Sequence, residues 1–198
     1  MKTQKTTSGS KRHLHLFVFL ISTAVVLVLG SSAYLYSIPP LIYKGYEKAI
    51  VQDGLGSGSA IPVNTLYTSP QLASPSAKST FLRTGANTDT LYSAGWLDLK
   101  EKPLVLHVPD MNGRYYSVQL TDPKTGSDFA YVGRRTTGTA AGDYLITGPG
   151  WSGSVPPGMK RISSPDNSVL ILGRLLVQNK DDLATAYNLS KQITLSPP

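Results

Sequence analysis

Apolar and polar positions along the 198-residue chain follow two regimes. Leu14–Tyr36 is an apolar run without a formal charge, interrupted by one histidine, His15. From Thr80 onward, short apolar-aromatic segments alternate with turn residues. That alternation predicts strands near Thr80–Arg83, Leu91–Leu99, Leu104–Val108, Tyr115–Thr121, Asp128–Val132, Asp143–Thr147, Met159–Ile162 and Val169–Leu176. Tyr116, Val118 and Leu120 alternate with Tyr115, Ser117, Gln119 and Thr121, so that strand is expected to keep one wet face. Asn112-Gly113 reads as a hairpin turn, because a primed turn needs positive φ at both positions. Asp122-Pro123-Lys124-Thr125-Gly126 reads as a second turn, and Gly148-Pro149-Gly150 and Pro156-Pro157-Gly158 end the next segments. Asn179–Ile193 reads as a helix capped by Asn179, with Leu183, Ala186, Tyr187 and Leu189 on one face. The fold class expected is mainly β: an antiparallel β-sandwich or jelly-roll-like domain with an N-terminal transmembrane helix and a C-terminal helix.

The Leu14–Tyr36 run exceeds the roughly 20 apolar residues that a helix needs to cross the hydrocarbon core. Lys11 and Arg12 precede it and no comparable cluster follows, which places the N-terminus in the cytoplasm. Ser31-Ser32-Ala33 also permits a cleaved signal peptide; the length of the run favours an uncleaved anchor. Pro39-Pro40 is expected to stop the helix, and Leu41–Val51 to form a short separate one. The organisation expected is residues 1–13 as a basic cytoplasmic tail, irregular over Met1–Lys11, and 14–36 as the membrane helix. Residues 37–79 follow as a linker, with a short strand at Asn64–Thr68, and 80–198 as the β domain. The location expected is the inner (cytoplasmic) membrane, single-pass, with the C-terminal domain periplasmic or otherwise extracytoplasmic.

Composition sharpens this picture. Gly and Pro number 18 and 14 and charged residues are only 16%, a turn-rich balance. The absence of Cys excludes disulfides, thiol nucleophiles and Cys-ligated zinc. The net charge of +7 is concentrated at Lys2, Lys5, Lys11 and Arg12. The rest is only mildly basic, without a Lys/Arg block interleaved with aromatics, and nucleic acid is not an expected partner.

The segments N-T-D-T-L-Y-S-A-G-W-L-D-L from Asn87, P-L-V-L-H-V-P-D-M-N-G-R-Y-Y-S-V-Q-L from Pro103 and G-R-R-T-T-G-T-A-A-G-D-Y-L-I-T-G-P-G-W from Gly133 resemble the bacterial family called domain of unknown function 1254. The resemblance covers about Ile38 to Leu195. It implies a β-sandwich module and no established reaction, so it carries over no catalytic residue. Larger members join this module to a second one, domain of unknown function 1214. The chain resembles a short, membrane-anchored form lacking it, and a companion protein carrying the second module is the expected partner beside the membrane. Thr84-Gly85-Ala86 replaces an R-P-like pair of the family, so a site using that lead-in is not carried over.

Candidate chemistry is sparse. Asn87, Asp89, Thr90 and Tyr92 cluster at a strand start and are suited to a sugar-like or carboxylate ligand; the plainer alternative is that Asn87 and Asp89 bond to their own turn. Arg134 and Arg135 are suited to an anion; otherwise one is a buried staple to Asp89, Asp110 or Asp143. His107 is the sole His of the β region; a triad with Asp110 lacks a G-x-S-x-G elbow, and a packed core histidine is the favoured reading. Trp96, Trp151, Tyr115 and Tyr116 are a stacking platform or core. No metal site or cofactor is implied. The function expected is an extracytoplasmic module of unknown activity that binds or assembles with a companion domain, leaning away from an enzyme. The alternative is an enzyme or lectin-like binder acting on small polar or carbohydrate ligands.

Overall fold

A computed structural model of the chain describes residues 7–77, 80–83 and 87–198. It is mainly β, with two sheets, a long apolar helix at the N-terminus and a short helix near the C-terminus. The long helix, α1 (Thr7–Glu47), starts ahead of the apolar run, so Thr7–Lys11 is helical where irregular chain is expected. Residues 1–6 lie outside the described residues.

Helix α1 also continues through Pro39 and Pro40, contrary to the expected stop. The two prolines remove only the amide donors that serve the Leu35 and Tyr36 carbonyls. Those carbonyls lie on an exposed stretch where solvent substitutes. Beyond the prolines tertiary contact holds the helix: Pro39 and Tyr43 pack on Gly126, where an added Cβ would lie 3.5 Å from Pro39 Cβ and 3.2 Å from Tyr43 Cε2. Gly126 has φ +74°, so glycine answers both the turn and the close approach. A π-helical turn, Lys48–Gln52, then drives Ile50 into the β body.

The linker contributes a two-residue strand, β1 (Tyr67–Thr68). Thr80–Arg83, read from sequence as a strand, is a single helical turn, α2. It pairs with no strand among the described residues, so its backbone closes locally, and Leu82 enters an apolar layer. The strands that follow are β2 (Thr90–Asp98), β3 (Leu104–Val108), β4 (Tyr116–Thr121), β5 (Asp128–Gly133), β6 (Gly142–Thr147), β7 (Lys160–Ser163) and β8 (Ser168–Leu176). One sheet has the order β1-β2-β8-β4-β5 and is antiparallel throughout. The second has the order β7-β6-β3-β9, where β9 is Thr194–Ser196 and β6–β7 is its parallel pair.

The two sheets share one buried cluster. Leu91, Leu97, Val118, Leu120, Val169 and Ile171 of the first meet Leu106, Val108, Tyr144 and Ile146 of the second. Each such side chain contributes about 1.5–3 kcal/mol of burial. The opposite face of the first sheet is also buried over β2 and β8. There Tyr92, Ala94, Trp96, Leu170 and Leu172 pack under Ile50, Ile61, Ala73, Ala77 and Leu82.

Asn112 and Gly113 take the expected positive φ, 46° and 76°, and Arg114 N donates to Met111 O at 2.8 Å. They do not make a hairpin, however: β3 and β4 lie in different sheets. Pro109 removes a ladder donor after β3, and Met111, 1% exposed, dives into the core, so the turn carries the chain between layers. The Asp122–Ser127 turn is the true hairpin and joins β4 to β5.

Near the C-terminus Asn179 caps as expected, its Oδ1 accepting from Asp181 N at 3.0 Å and Asp182 N at 3.1 Å. The helix α3 (Leu183–Ser190) is shorter than expected because Ile193 turns into the core ahead of β9. A staple closes this region. Arg114 Nη2 donates to Asp182 Oδ1 at 2.7 Å, and Arg114 Nη1 donates to the Leu176 carbonyl at 2.8 Å. The paired side chains are 13% and 12% exposed. The Arg114 hydrogen bonds hold the Asp182 carboxyl below its usual range.

Asp182→Asn, which breaks the ion pair and keeps the shape, is expected to destabilise the β body by about 2 kcal/mol at neutral pH in denaturant unfolding. The folded carboxyl titrates below its unfolded value of about 4, so its stabilising contribution is complete above that pH and is lost as pH falls beneath it. The gap between wild type and Asp182→Asn should therefore close in acid; a gap constant from pH 7 to 3 would refute the assignment.

Candidate functional site

The polar residues singled out by sequence gather at one end of the five-stranded sheet but not at one point. Thr90 opens β2 opposite Leu176; Leu175 faces Tyr116 on β4; Ser117 faces Gly133, the last residue of β5. Asp89 and Arg134 therefore flank the same sheet end with β8 and β4 between them. Three strand spacings put them about 14 Å apart.

In the first group Asn87 and Asp89 are exposed. Among the described residues neither side chain has a hydrogen bond to its own turn. The Asn87 amide N–H donates to the Tyr92 hydroxyl at 2.9 Å, and the Asp89 carbonyl accepts from Val177 N at 2.8 Å. Backbone bonds thus hold the segment while the amide and carboxylate stay uncommitted. Beneath them the Thr90 hydroxyl is buried without a partner in the described structure.

Tyr92 starts a polar chain that sequence reasoning missed. The Arg174 guanidinium lies 5.6 Å from its ring centroid and donates to Gln119 Oε1 at 2.9 Å. Gln119 Nε2 donates to Asp128 Oδ1 at 2.8 Å, and the Tyr131 hydroxyl donates to Asp128 Oδ2. That bond, with burial behind it, pushes the Tyr131 phenol up to about 12. Burial and then the Asp128 charge raise Tyr43 of α1 as well. The available signal was Arg174, a lone charge within V-L-I-L-G-R-L-L.

The second group is Arg134 and Arg135, both exposed. Arg135 lies 5.9 Å from the Tyr115 ring centroid. It borders a cleft of about 190 Å³ lined by Tyr115, Ser117, Tyr131, Gly133 and Thr136. Neither arginine is the staple anticipated as one alternative; Arg114 takes that part, paired with Asp182 at the start of α3.

His107 differs from both readings of it. Its side chain is 45% exposed, so it is not a packed core residue. Its Nδ1 lies 2.7 Å from Asp143 Oδ1, its cross-strand neighbour on β6. Asp110 is committed elsewhere, accepting from Asn112 N at 2.7 Å. Trp96, buried, donates Nε1–H to Ser168 Oγ at 2.9 Å, and Tyr116 is 1% exposed, so both are core. Trp151 stacks under Arg161, 4.9 Å from guanidinium to ring, away from Tyr115. The four aromatics therefore form no common platform. At the opposite sheet end a larger open cavity of about 460 Å³ is lined by Val63, Asp98, Lys102, Leu104 and Leu195 among others.

Comparison with solved structures finds the VPA0106 protein from Vibrio parahaemolyticus, 26% identical with a TM-score of 0.65, over 83% of this chain and 36% of that one. An uncharacterized protein from Burkholderia cenocepacia is 14% identical with a TM-score of 0.40, over 58% of this chain and 31% of that one. The chain thus spans about a third of the length of either, 36% and 31%. No curated protein matches it. The family model described as protein of unknown function (DUF1254) matches residues 63–197, a stretch holding every strand among the described residues, and the chain belongs to that family.

Proposed function

We propose that the chain is a single-pass, membrane-anchored, extracytoplasmic β-sandwich module that binds a companion body rather than transforming a substrate. The observation that carries this reading is the apolar span of α1. Its most apolar window has a mean hydropathy of 2.3 and none of it is buried within the protein. A helix this apolar and this uncovered is stable in lipid, not in water. The Lys11-Arg12 pair at its start supports a cytoplasmic N-terminus in the inner membrane, with the β body in the periplasm. The shared cluster between two sheets supports a sandwich.

Binding is favoured over catalysis by the distribution of polar groups. Asp89 and Arg134 flank separate strands, β2 and β5, at an open sheet end, which suits recognition of a broad surface. The VPA0106 protein carries much more chain than this module matches, in keeping with a part that works beside another body. The second module of the family is the partner this reading names. The rival reading, an enzyme or lectin-like binder of small polar or carbohydrate ligands, rests on the cleft beside Arg135 and Tyr115.

Washed at alkaline pH, bacterial membranes should retain the wild-type chain. Val26→Arg combined with Leu27→Arg should release it, since each charge at mid-span costs about 3 kcal/mol. Purified from those membranes in mild detergent, the wild type should bring down a protein bearing the second module. A stably monomeric chain retaining no such partner would remove the companion idea.

Asp89 separates the two readings. Exposed and unpaired among the described residues, it is expected to tolerate Asn with a stability change below about 0.5 kcal/mol in thermal unfolding. Under the binding reading the same variant weakens partner capture. Turnover of a small polar substrate by the wild type, abolished in Asp89→Asn at unchanged Tm, would establish the rival.

A further inference from the structure

The way α1 leaves the β body fixes which end of that body meets the membrane. Residues Tyr34, Leu35 and Tyr36 are 68%, 64% and 82% exposed, so the body does not touch the end of the apolar span. Contact begins at Pro39 and Tyr43, on Gly126 in the β4–β5 turn. Tyr43 reaches the Gly126 carbonyl at 3.5 Å and packs edge-on against Tyr46, ring centroids 5.5 Å apart. Past the turn, Tyr43 lies within electrostatic reach of Asp128 and Tyr131 on β5, and Ile50 is buried against β2 and β8. The helix therefore passes the turn tip first and then climbs the outer face of the sheet.

A helix rises about 1.5 Å per residue, so Pro39 and Tyr43 stand about 5 and 10 Å beyond Tyr36. The headgroup layer outside the hydrocarbon core is about 5–7 Å deep on each side. With Tyr34 and Tyr36 as interfacial rings, the turn packed on Pro39 falls at headgroup height. Its side chains suit that layer. Lys124 is 76% exposed and anchored by Asp166 of the β7–β8 turn, while Thr125 and Ser127 are exposed hydroxyls. Lys44 and Lys48 lie about 12 and 18 Å beyond Tyr36, past that layer, so the cation at headgroup height is Lys124. Ammonium groups at this height attract lipid phosphates.

We infer that the β4–β5 turn, residues 122–127, is a second membrane contact, seated among phospholipid headgroups, and that it holds the sheet end carrying Asn87, Asp89, Arg134 and Arg135 away from the bilayer. This inference rests on the anchoring proposed above. The six residues of β5 separate the two ends by about 17 Å. The uncommitted polar groups then face outward, where a companion approaches, and not the lipid.

The chain has no Cys, so single-cysteine labelling needs no background removal. An environment-sensitive fluorophore is placed at Val26→Cys, Ser127→Cys or Ala140→Cys in the full chain, reconstituted in phosphatidylglycerol/phosphatidylethanolamine vesicles. Quenching is read with lipids spin-labelled at mid-chain or at the headgroup. The Val26 label should be quenched from mid-chain, the Ser127 label from the headgroup, and the Ala140 label, in the loop after β5, by neither. Lys124→Cys reads the same turn if Ser127→Cys does not fold. A quenched Val26 label with turn and Ala140 labels that respond alike would overturn the orientation and leave anchoring intact. An unquenched Val26 label would sink both.

Discussion

Strands β2 and β8 pair in unbroken antiparallel register over nine residues each, and both faces of that pair are dry. One face meets the second sheet. The other meets the segment arriving from α1. Parallel sheets usually bury both faces; an antiparallel sheet ordinarily leaves one to solvent. Here the linker and the π-helical turn serve as the extra layer, with Ile50, Ile61, Ala73, Ala77 and Leu82 as its inner surface. The helix is consequently joined to the body by apolar burial as well as by the chain. A flexible tether would leave the orientation of the body open; a packed one constrains it.

That arrangement also decides where polar chemistry can sit. The middle of the large sheet is closed on both sides, so polar side chains gather at strand ends and over its β8-β4-β5 margin. On that margin Arg174, Gln119, Asp128 and Tyr131 satisfy one another in a chain of hydrogen bonds. A network with its members so committed specifies geometry and has few groups left for a ligand. Asn87 and Asp89 are different, because main-chain bonds hold their segment and leave the side chains unengaged.

Strand positions were legible because apolar-aromatic segments bounded by Gly, Pro and Asn mark them regardless of partner. β3 runs from Leu104 to Val108 as read, β2 and β4 to β8 shift by one residue at one end or both, and β1 starts three residues later than the Asn64–Thr68 expected. What escaped was whatever depends on a partner distant in sequence. Thr80–Arg83 has strand-like composition but no strand beside it, so it coils. Asn112-Gly113 specifies its own dihedral angles and says nothing about which sheet receives the chain afterwards. Pro39-Pro40 reads as a stop by local rules; contact with Gly126, far along the chain, overrides them. β9 is three residues at the foot of a helix, too short to show periodicity.

The candidate site was legible in residue type and not in arrangement, for the same reason. Three carboxylates were available to an arginine staple, and the observed one, Asp182, was not among them. It sits in the cap of α3, where an acidic residue already has the local task of meeting the helix N-terminus. Its second task, pairing with Arg114, appears only once the crossing between sheets brings residue 114 to the end of β8. Asp143, one of the three carboxylates offered to that staple, is instead set against His107 once β3 and β6 align. Each pairing withdraws a carboxylate from the pool that could serve a ligand. Asp89, on a segment held through its main-chain groups, is left outside these pairings at the end of the sheet away from the β4–β5 turn on which α1 packs.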